Sequence, residues 1–280
     1  MDGTTMNRLI DTTFVIPVRI DSPERARNLD VLIDFFIQHF DSNILIMEAD
    51  DRQRYFVKNT NRRIQYFFEK DCQPVFQHTL YLNYLYRKTK TPIIAGWDTD
   101  ALVAPKQIID TVEQIRKGNA IMGLPYDGNA YNTTDAFVQL YQETQNLDVL
   151  IREIGNFQSM YGDLSIGGAF IVNAEKYMQA GGENEYFLGW GPEDFERVKR
   201  MEILYPQSIY RAEGGLFHLW HPRYLNSRYA DMEYEINGKK EFLKVCGMNR
   251  NELRKYVAGW PWLDSLRKKS VKVRYKYNNN

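Results

Sequence analysis

The chain has 280 residues, 44% of them hydrophobic and 26% charged, with 36 Lys and Arg balanced by 36 Asp and Glu. That composition describes one globular domain, or one domain with a small appendage. It lacks the cationic excess of a nucleic-acid-binding protein and carries too many large apolar side chains for a disordered chain, so no nucleic-acid partner is expected.

Thr13-Phe14-Val15-Ile16-Pro17-Val18 is a β-branched and aromatic run that predicts a buried strand. Ser22 can cap a helix with Pro23 at its first position, and Leu29, Leu32, Ile33, Phe36, Ile37 and Phe40 then recur at helical spacing. Strands are predicted at 44–47 and 64–68, a helix over 75–88, a strand at 92–97, a helix over 105–117 stopped by Gly118, and a strand at 120–123. Such alternation predicts an α/β fold with a mostly parallel, Rossmann-like sheet flanked by helices, because parallel neighbours need a crossover. The second half departs from it: a long helix over 134–154, a glycine-punctuated stretch over 162–191, and short strands around Ser208 and Leu216. Residues 1–230 read as the main domain, and 231–280 as a helical extension packed on its outside and ending in a basic tail, 267–276.

The longest apolar stretches, such as 31–37, are interrupted by Asp34, far short of the about 20 apolar residues that cross a bilayer. The first residues show no basic segment followed by an apolar one, so a cytoplasmic location is expected. Cys72 and Cys246 form no metal-spaced pair and no disulfide framework. They read as reduced, structural thiols.

Three constellations carry candidate chemistry. Trp97-Asp98-Thr99-Asp100 ends a predicted strand, and ligands of such sheets bind just beyond those ends. Two carboxylates one residue apart suit Mg²⁺ or Mn²⁺, although the same triplet is common in solvated turns. Phe217-His218-Leu219-Trp220-His221-Pro222 holds two of the four histidines, and imidazole beside carboxylate tilts a site toward Mn²⁺; a hydrogen-bonded, half-buried pair is the plain alternative. Gly189-Trp190-Gly191-Pro192-Glu193-Asp194 presents an exposed ring before a helix whose first turn is acidic. Capping alone explains carboxylates there, yet an aromatic face also stacks on a sugar and a neighbouring carboxylate can accept a hydroxyl proton.

The stretch Gly167-Gly168-Ala169-Phe170, Lys176, Gly181-Gly182 and 187–194 resembles the C-terminal part of the β-1,4-galactosyltransferase family and its bacterial chondroitin-polymerase-like and capsule relatives of GT-A fold. Ile16-Pro17-Val18-Arg19 is similar to that family's first nucleotide-binding strand, Asp98-Thr99-Asp100 to its D-x-D motif, and His218-Leu219-Trp220-His221 to its late metal-binding segment. The resemblance runs in order from about Phe14 to His221 and implies an inverting, metal-dependent transferase acting on a UDP-sugar, galactose or N-acetylgalactosamine foremost.

On that resemblance Asp100, His218 and His221 would hold Mn²⁺ or Mg²⁺. Pro17, Arg19, Glu48, Asp50, His78, Trp97 and Asp98 would surround the nucleotide-sugar. Trp190, Gly191 and Gly168 would border a glycan or lipid-linked glycan acceptor. Asp194 would be the base, with Glu193 orienting the acceptor hydroxyl. Asp194 stands where the retaining polypeptide N-acetylgalactosaminyltransferases carry Asn. Pro192 and Phe195 depart from the animal enzymes, so acceptor identity does not carry over. A retaining transferase, a metal-dependent phosphoesterase and a silent sugar-nucleotide-binding domain are the other readings. The basic tail is a candidate for contact with an anionic membrane surface.

Overall fold

The computed structural model describes residues 7–59, 61–160 and 164–270. Its centre is β1, Asn7–Val18, a long strand paired in parallel with β2, Phe40–Asp50, on one side and with β4, Ile93–Trp97, on the other. β3, Ile64–Lys70, extends the sheet in parallel beyond β2. Beyond β4 lie β9, Ala169–Asn173, then β6, Met122–Leu124, and β10, Ile209–Arg211, giving the order β10-β6-β9-β4-β1-β2-β3. Only β9 runs antiparallel to its neighbours, so the expected mostly parallel sheet is present.

Strand alternation divides the core between the two faces of this sheet. Phe14 and Ile16 face one cluster together with Leu32 and Phe36 of α1, Pro23–His39, whose N-terminus is capped by the Ser22 side chain. Val15 faces the other cluster with Leu82 and Leu85 of α2, His78–Lys88. α3, Pro105–Arg116, leads into β6.

A second, four-stranded sheet stands beside the strand ends, ordered β5, Ala101–Leu102, then β11, Leu216–His218, β7, Ala130–Asn132, and β8, Gln158–Ser159. It determines the site, because β11 pairs His218 with Ala101 and the Leu219 amide donates to the Asp100 carbonyl at 2.7 Å.

The long helix expected over 134–154 is instead α4, Asp135–Thr144, and α5, Asp148–Ile151, followed by a short 3-10 turn. Gln145 adopts φ 51° and ends α4, while the Asn146 side chain accepts from the Asp148 amide and starts the next turn. The glycine-rich stretch contains β9 and α6, Ala174–Gln179. β9 meets β4 with Phe170 opposite Gly96, where a Cβ would lie 2.3 Å from the Phe170 ring. Gly96 therefore makes room for an aromatic that later supports the site.

α7, Glu193–Leu204, is covered by α8, Met232–Cys246, and α9, Arg250–Ala258, while α10, Leu263–Ser270, rests on α2 and α6. Trp260, Leu263 and Leu266 are buried in the second core cluster, so the C-terminal helices help close that face. Residues 271–276 of the basic run lie outside the described residues. Among the described residues no helix is long and apolar enough to cross a membrane.

Candidate active site

A cleft of about 340 Å³ opens at the C-terminal ends of β1 and β4 and is walled by the small sheet and the start of α7. The Asp98–Asp100 turn forms its floor, held by the Asp98 amide donating to the Gly168 carbonyl at 2.8 Å. Trp97 does not face the cleft. Its ring packs edge-on to Phe14 and Phe36, and its indole N–H donates to the Ala101 carbonyl at 2.8 Å, clamping the turn from beneath. The expected nucleotide contact from Trp97 is thus corrected to a structural one, since the residue before Asp98 in an extended chain points the opposite way.

The three expected metal ligands converge. His221 Nε2 lies 3.0 Å and His218 Nε2 3.6 Å from Asp100 oxygens, and one ligand atom from each residue fits within 4.8 Å of the others. His221 Nδ1 sits 2.8 Å from the Pro222 carbonyl and 3.4 Å from an Arg25 guanidinium nitrogen, while Nε2 faces the Asp100 carboxylate. Burial lowers the His218 pKa and so keeps that imidazole neutral. Burial opposes charge on Asp100, but His218, His221 and Arg25 outweigh it and hold its carboxyl well below the usual range. An ionised carboxylate beside two imidazoles, their ligand atoms all within 4.8 Å of one another, fits a divalent cation such as Mn²⁺.

Across the cleft stand Glu193 and Asp194. Glu193 is 8% exposed with Oε2 unpartnered, and burial together with the Asp194 charge pushes its carboxyl up to about 8. Burial also raises Asp194, and its net shift stays upward although the Arg197 guanidinium donates directly to its Oδ1 and pulls the other way. Both carboxyls are thus shifted upward, and of the two it is Asp194 that receives a guanidinium hydrogen bond favouring its ionised form. Asp194 Oδ2 is turned toward Gly167, where a Cβ would lie 2.5 Å away, so only glycine allows this approach.

His78, expected near the nucleotide, lines the cleft at the start of α2 with Nε2 3.3 Å from Asp98 Oδ1. Burial would lower its pKa, but Asp98, Glu193 and Asp194 outweigh it and the net shift is upward. Pro17 lines the cleft. Arg19 also borders it, but its donors go to the Ala49 and Gln73 carbonyls and to Asp71, with the guanidinium over Phe76.

Glu48 and Asp50 do not reach this cleft. Glu48 is fully buried and accepts from the Arg54 and Tyr55 amides and the Tyr66 hydroxyl. Asp50 pairs with Arg54 and borders a separate shallow depression beside Arg19 and Asp21. Both carboxylates are consumed in tying the segment after β2 to the sheet.

Trp190 and Gly191 line the cleft beside Tyr229, which meets the Trp190 ring edge-on at 4.9 Å, whereas Gly168 lines it at the floor, where its carbonyl accepts from the Asp98 amide. Sequence reasoning missed Arg25, Phe76, Tyr229 and Arg197. Arg25 reaches from α1 to Asp21 at 2.8 Å, Ser227 at 3.1 Å and Asp100 at 3.5 Å. Tertiary folding alone assembles Arg25, Phe76 and Tyr229, but Arg197 lies three residues beyond Asp194 on one helix and that spacing was readable.

No family model matches the chain, and no curated protein matches it in sequence. Solved structures do share its architecture. Glucosyl-3-phosphoglycerate synthase from Mycobacterium tuberculosis, in complex with Mn²⁺, UDP and phosphoglyceric acid, aligns with TM-score 0.51 and 14% identity over 85% of this chain and 78% of that one. The catalytic domain of Drosophila β1,4-galactosyltransferase 7, in complex with xylobiose, aligns with TM-score 0.51 and 14% identity over 88% and 84%. The chain has the GT-A fold that these glycosyltransferases share.

Proposed function

We propose that this protein is an inverting, divalent-cation-dependent glycosyltransferase that moves a sugar, galactose or N-acetylgalactosamine foremost, from UDP to a glycan hydroxyl. The observation that carries the reading is the meeting, in one cleft, of the Asp100-His218-His221 cluster with the Glu193-Asp194 pair. The GT-A fold, shared with transferases crystallised with UDP and Mn²⁺, supports it.

A divalent cation held by Asp100, His218 and His221 would offset the charge that grows on the leaving diphosphate. Arg25, already beside Asp100, adds positive charge on the same side. Pro17 and the Phe76 ring under Arg19 form the flat wall suited to a base. Asp98, braced by His78, faces the sugar between the two ends of the cleft. Trp190 and Tyr229 offer aromatic surface to an acceptor sugar. Asp194 removes the proton from the acceptor hydroxyl as it attacks the anomeric carbon, and protonated Glu193 donates a hydrogen bond that orients that hydroxyl. Attack opposite the leaving group in one displacement inverts the anomeric centre.

The setting we infer is cytoplasmic synthesis of a surface polysaccharide on a glycan or lipid-linked glycan, with residues 1–230 carrying the transfer and the basic tail resting on an anionic membrane. Vesicle sedimentation with and without 267–280 tests the tail, and equal binding removes that contact. The function itself is tested by UDP release from UDP-galactose and UDP-N-acetylgalactosamine with Mn²⁺ and a panel of sugar acceptors, followed by NMR of the product anomer. Inversion is expected. A retained anomer would overturn the mechanism, and UDP binding without turnover on any donor would leave a silent binding domain.

A further inference from the structure

The geometry points to Glu183 and Arg197 as positioning residues that hold Asp194, through the Arg197 guanidinium, in the one orientation in which its Oδ2 is offered to the acceptor hydroxyl. This rests on the reading of Asp194 as the base and deepens it. Arg197 and Glu183 side chains are each 1% exposed, whereas Asp194 is 28% exposed at the cleft wall. Arg197 Nε donates to both Glu183 oxygens, at 2.9 and 3.2 Å, while its other edge donates to Asp194 Oδ1. A planar guanidinium fixed along one edge fixes the direction of what its other edge binds.

Glu183 is itself held on every side. The Tyr86 and Tyr177 hydroxyls donate to Oε1 at 2.6 and 2.7 Å, and the Glu183 amide donates to Asn83 Oδ1 at 2.8 Å. The Phe170 ring lies 4.1 Å from the Arg197 guanidinium carbon and closes its face. Gly96 is what lets that ring in. With Oδ1 taken, Oδ2 is the Asp194 oxygen turned to the cleft beside Gly167.

A buried ion pair is weak evidence of stability by itself, since desolvation offsets much of its attraction. This one has a third member at the cleft, which a purely structural pair does not need. The groups that face Asp194 are Arg197 and Glu193 from α7, His78 from α2, Asp98 beyond β4, and Tyr126 between β6 and β7. Of these, Arg197 alone donates to its carboxylate.

The test is the doubly neutral variant Glu183→Gln/Arg197→Gln, which leaves no unpaired buried charge, compared with wild type by ¹³C NMR titration of the Asp194 carboxyl, assigned with Asp194→Asn. Loss of the guanidinium should move that titration to higher pH. The acid limb of the turnover profile should follow it, and kcat at neutral pH should fall about tenfold or more, within the range that general-base catalysis supplies. Mn²⁺-dependent UDP affinity should stay unchanged. An unmoved Asp194 titration in the folded variant would overturn the proposal. A titration that moves in a wild-type background without turnover would instead keep the positioning and sink the transferase reading. If the double variant does not fold, Arg197→Lys keeps the buried charge but loses the fork, and should lower kcat with acceptor KM unchanged. Full kcat there would also overturn the proposal.

Discussion

Replacing Glu193 with Gln should make the protein more stable at neutral pH without removing its activity. The carboxyl lies in the first turn of α7, 8% exposed, with Oε2 lacking a partner. Burial, with the Asp194 charge adding to it, raises its pKa from 4.5 to about 8. Between those values the folded protein binds a proton that the unfolded chain has lost, so stability falls as pH rises from about 4.5 to about 8. At pH 7 the difference is on the order of 3 kcal/mol, taking about 1.4 kcal/mol for each tenfold change in proton affinity. Gln copies the neutral acid in shape, keeps a donor and never ionises. Urea unfolding at about pH 4, 7 and 9 should therefore show variant and wild type equal at the lowest pH, with the variant ahead by much of that figure at the higher two. Turnover by the variant should persist above pH 8, where wild type declines as Glu193 ionises. A variant less stable than wild type at pH 7 would refute the reasoning, because it would mean that Glu193 is ionised and well paired in the fold.

Three further outcomes follow from the same geometry. Asp194→Asn should reduce transfer by about 10²-fold or more while leaving Mn²⁺-dependent UDP affinity nearly unchanged, since the amide cannot accept the proton but fills the same space; initial rates and calorimetry on one preparation check both halves. Trp190→Ala should raise acceptor KM with little change in donor KM, because the ring borders only the outer cleft beside Tyr229. Gly96→Val should lower stability by about 1–3 kcal/mol by denaturant melt, since its side chain would occupy the position of the Phe170 ring.

The first half of the fold was readable because its signals are local. Ser22 and Pro23 start α1 where a cap and a first-turn proline belong, and the apolar spacing through Phe36 shows which face is buried. β9 was missed because it lies among glycines and enters the sheet antiparallel between β4 and β6, a placement that no local pattern encodes. The break at Gln145 was missed because a single left-handed residue interrupts an otherwise helical periodicity. In the site, the motif-borne residues Asp100, His218, His221, Glu193 and Asp194 did converge on one cleft. Trp97, Glu48 and Asp50 did not join them, because proximity in sequence to a motif does not say which way a strand residue points. Arg25 and Tyr229 lie just outside the quoted motifs and only the tertiary fold turns them to the cleft, and although a short strand around Leu216 was readable, the small sheet that brings it to the Asp98–Asp100 turn was not.

The central claim is that Asp100, His218 and His221 hold a divalent cation at which a nucleoside diphosphate binds. Calorimetric titration of UDP into wild type and Asp100→Ala, each with and without Mn²⁺, tests it most directly. The account predicts UDP binding that requires Mn²⁺ in wild type and is lost in the variant. Equal UDP binding by both proteins, with or without the metal, would contradict it.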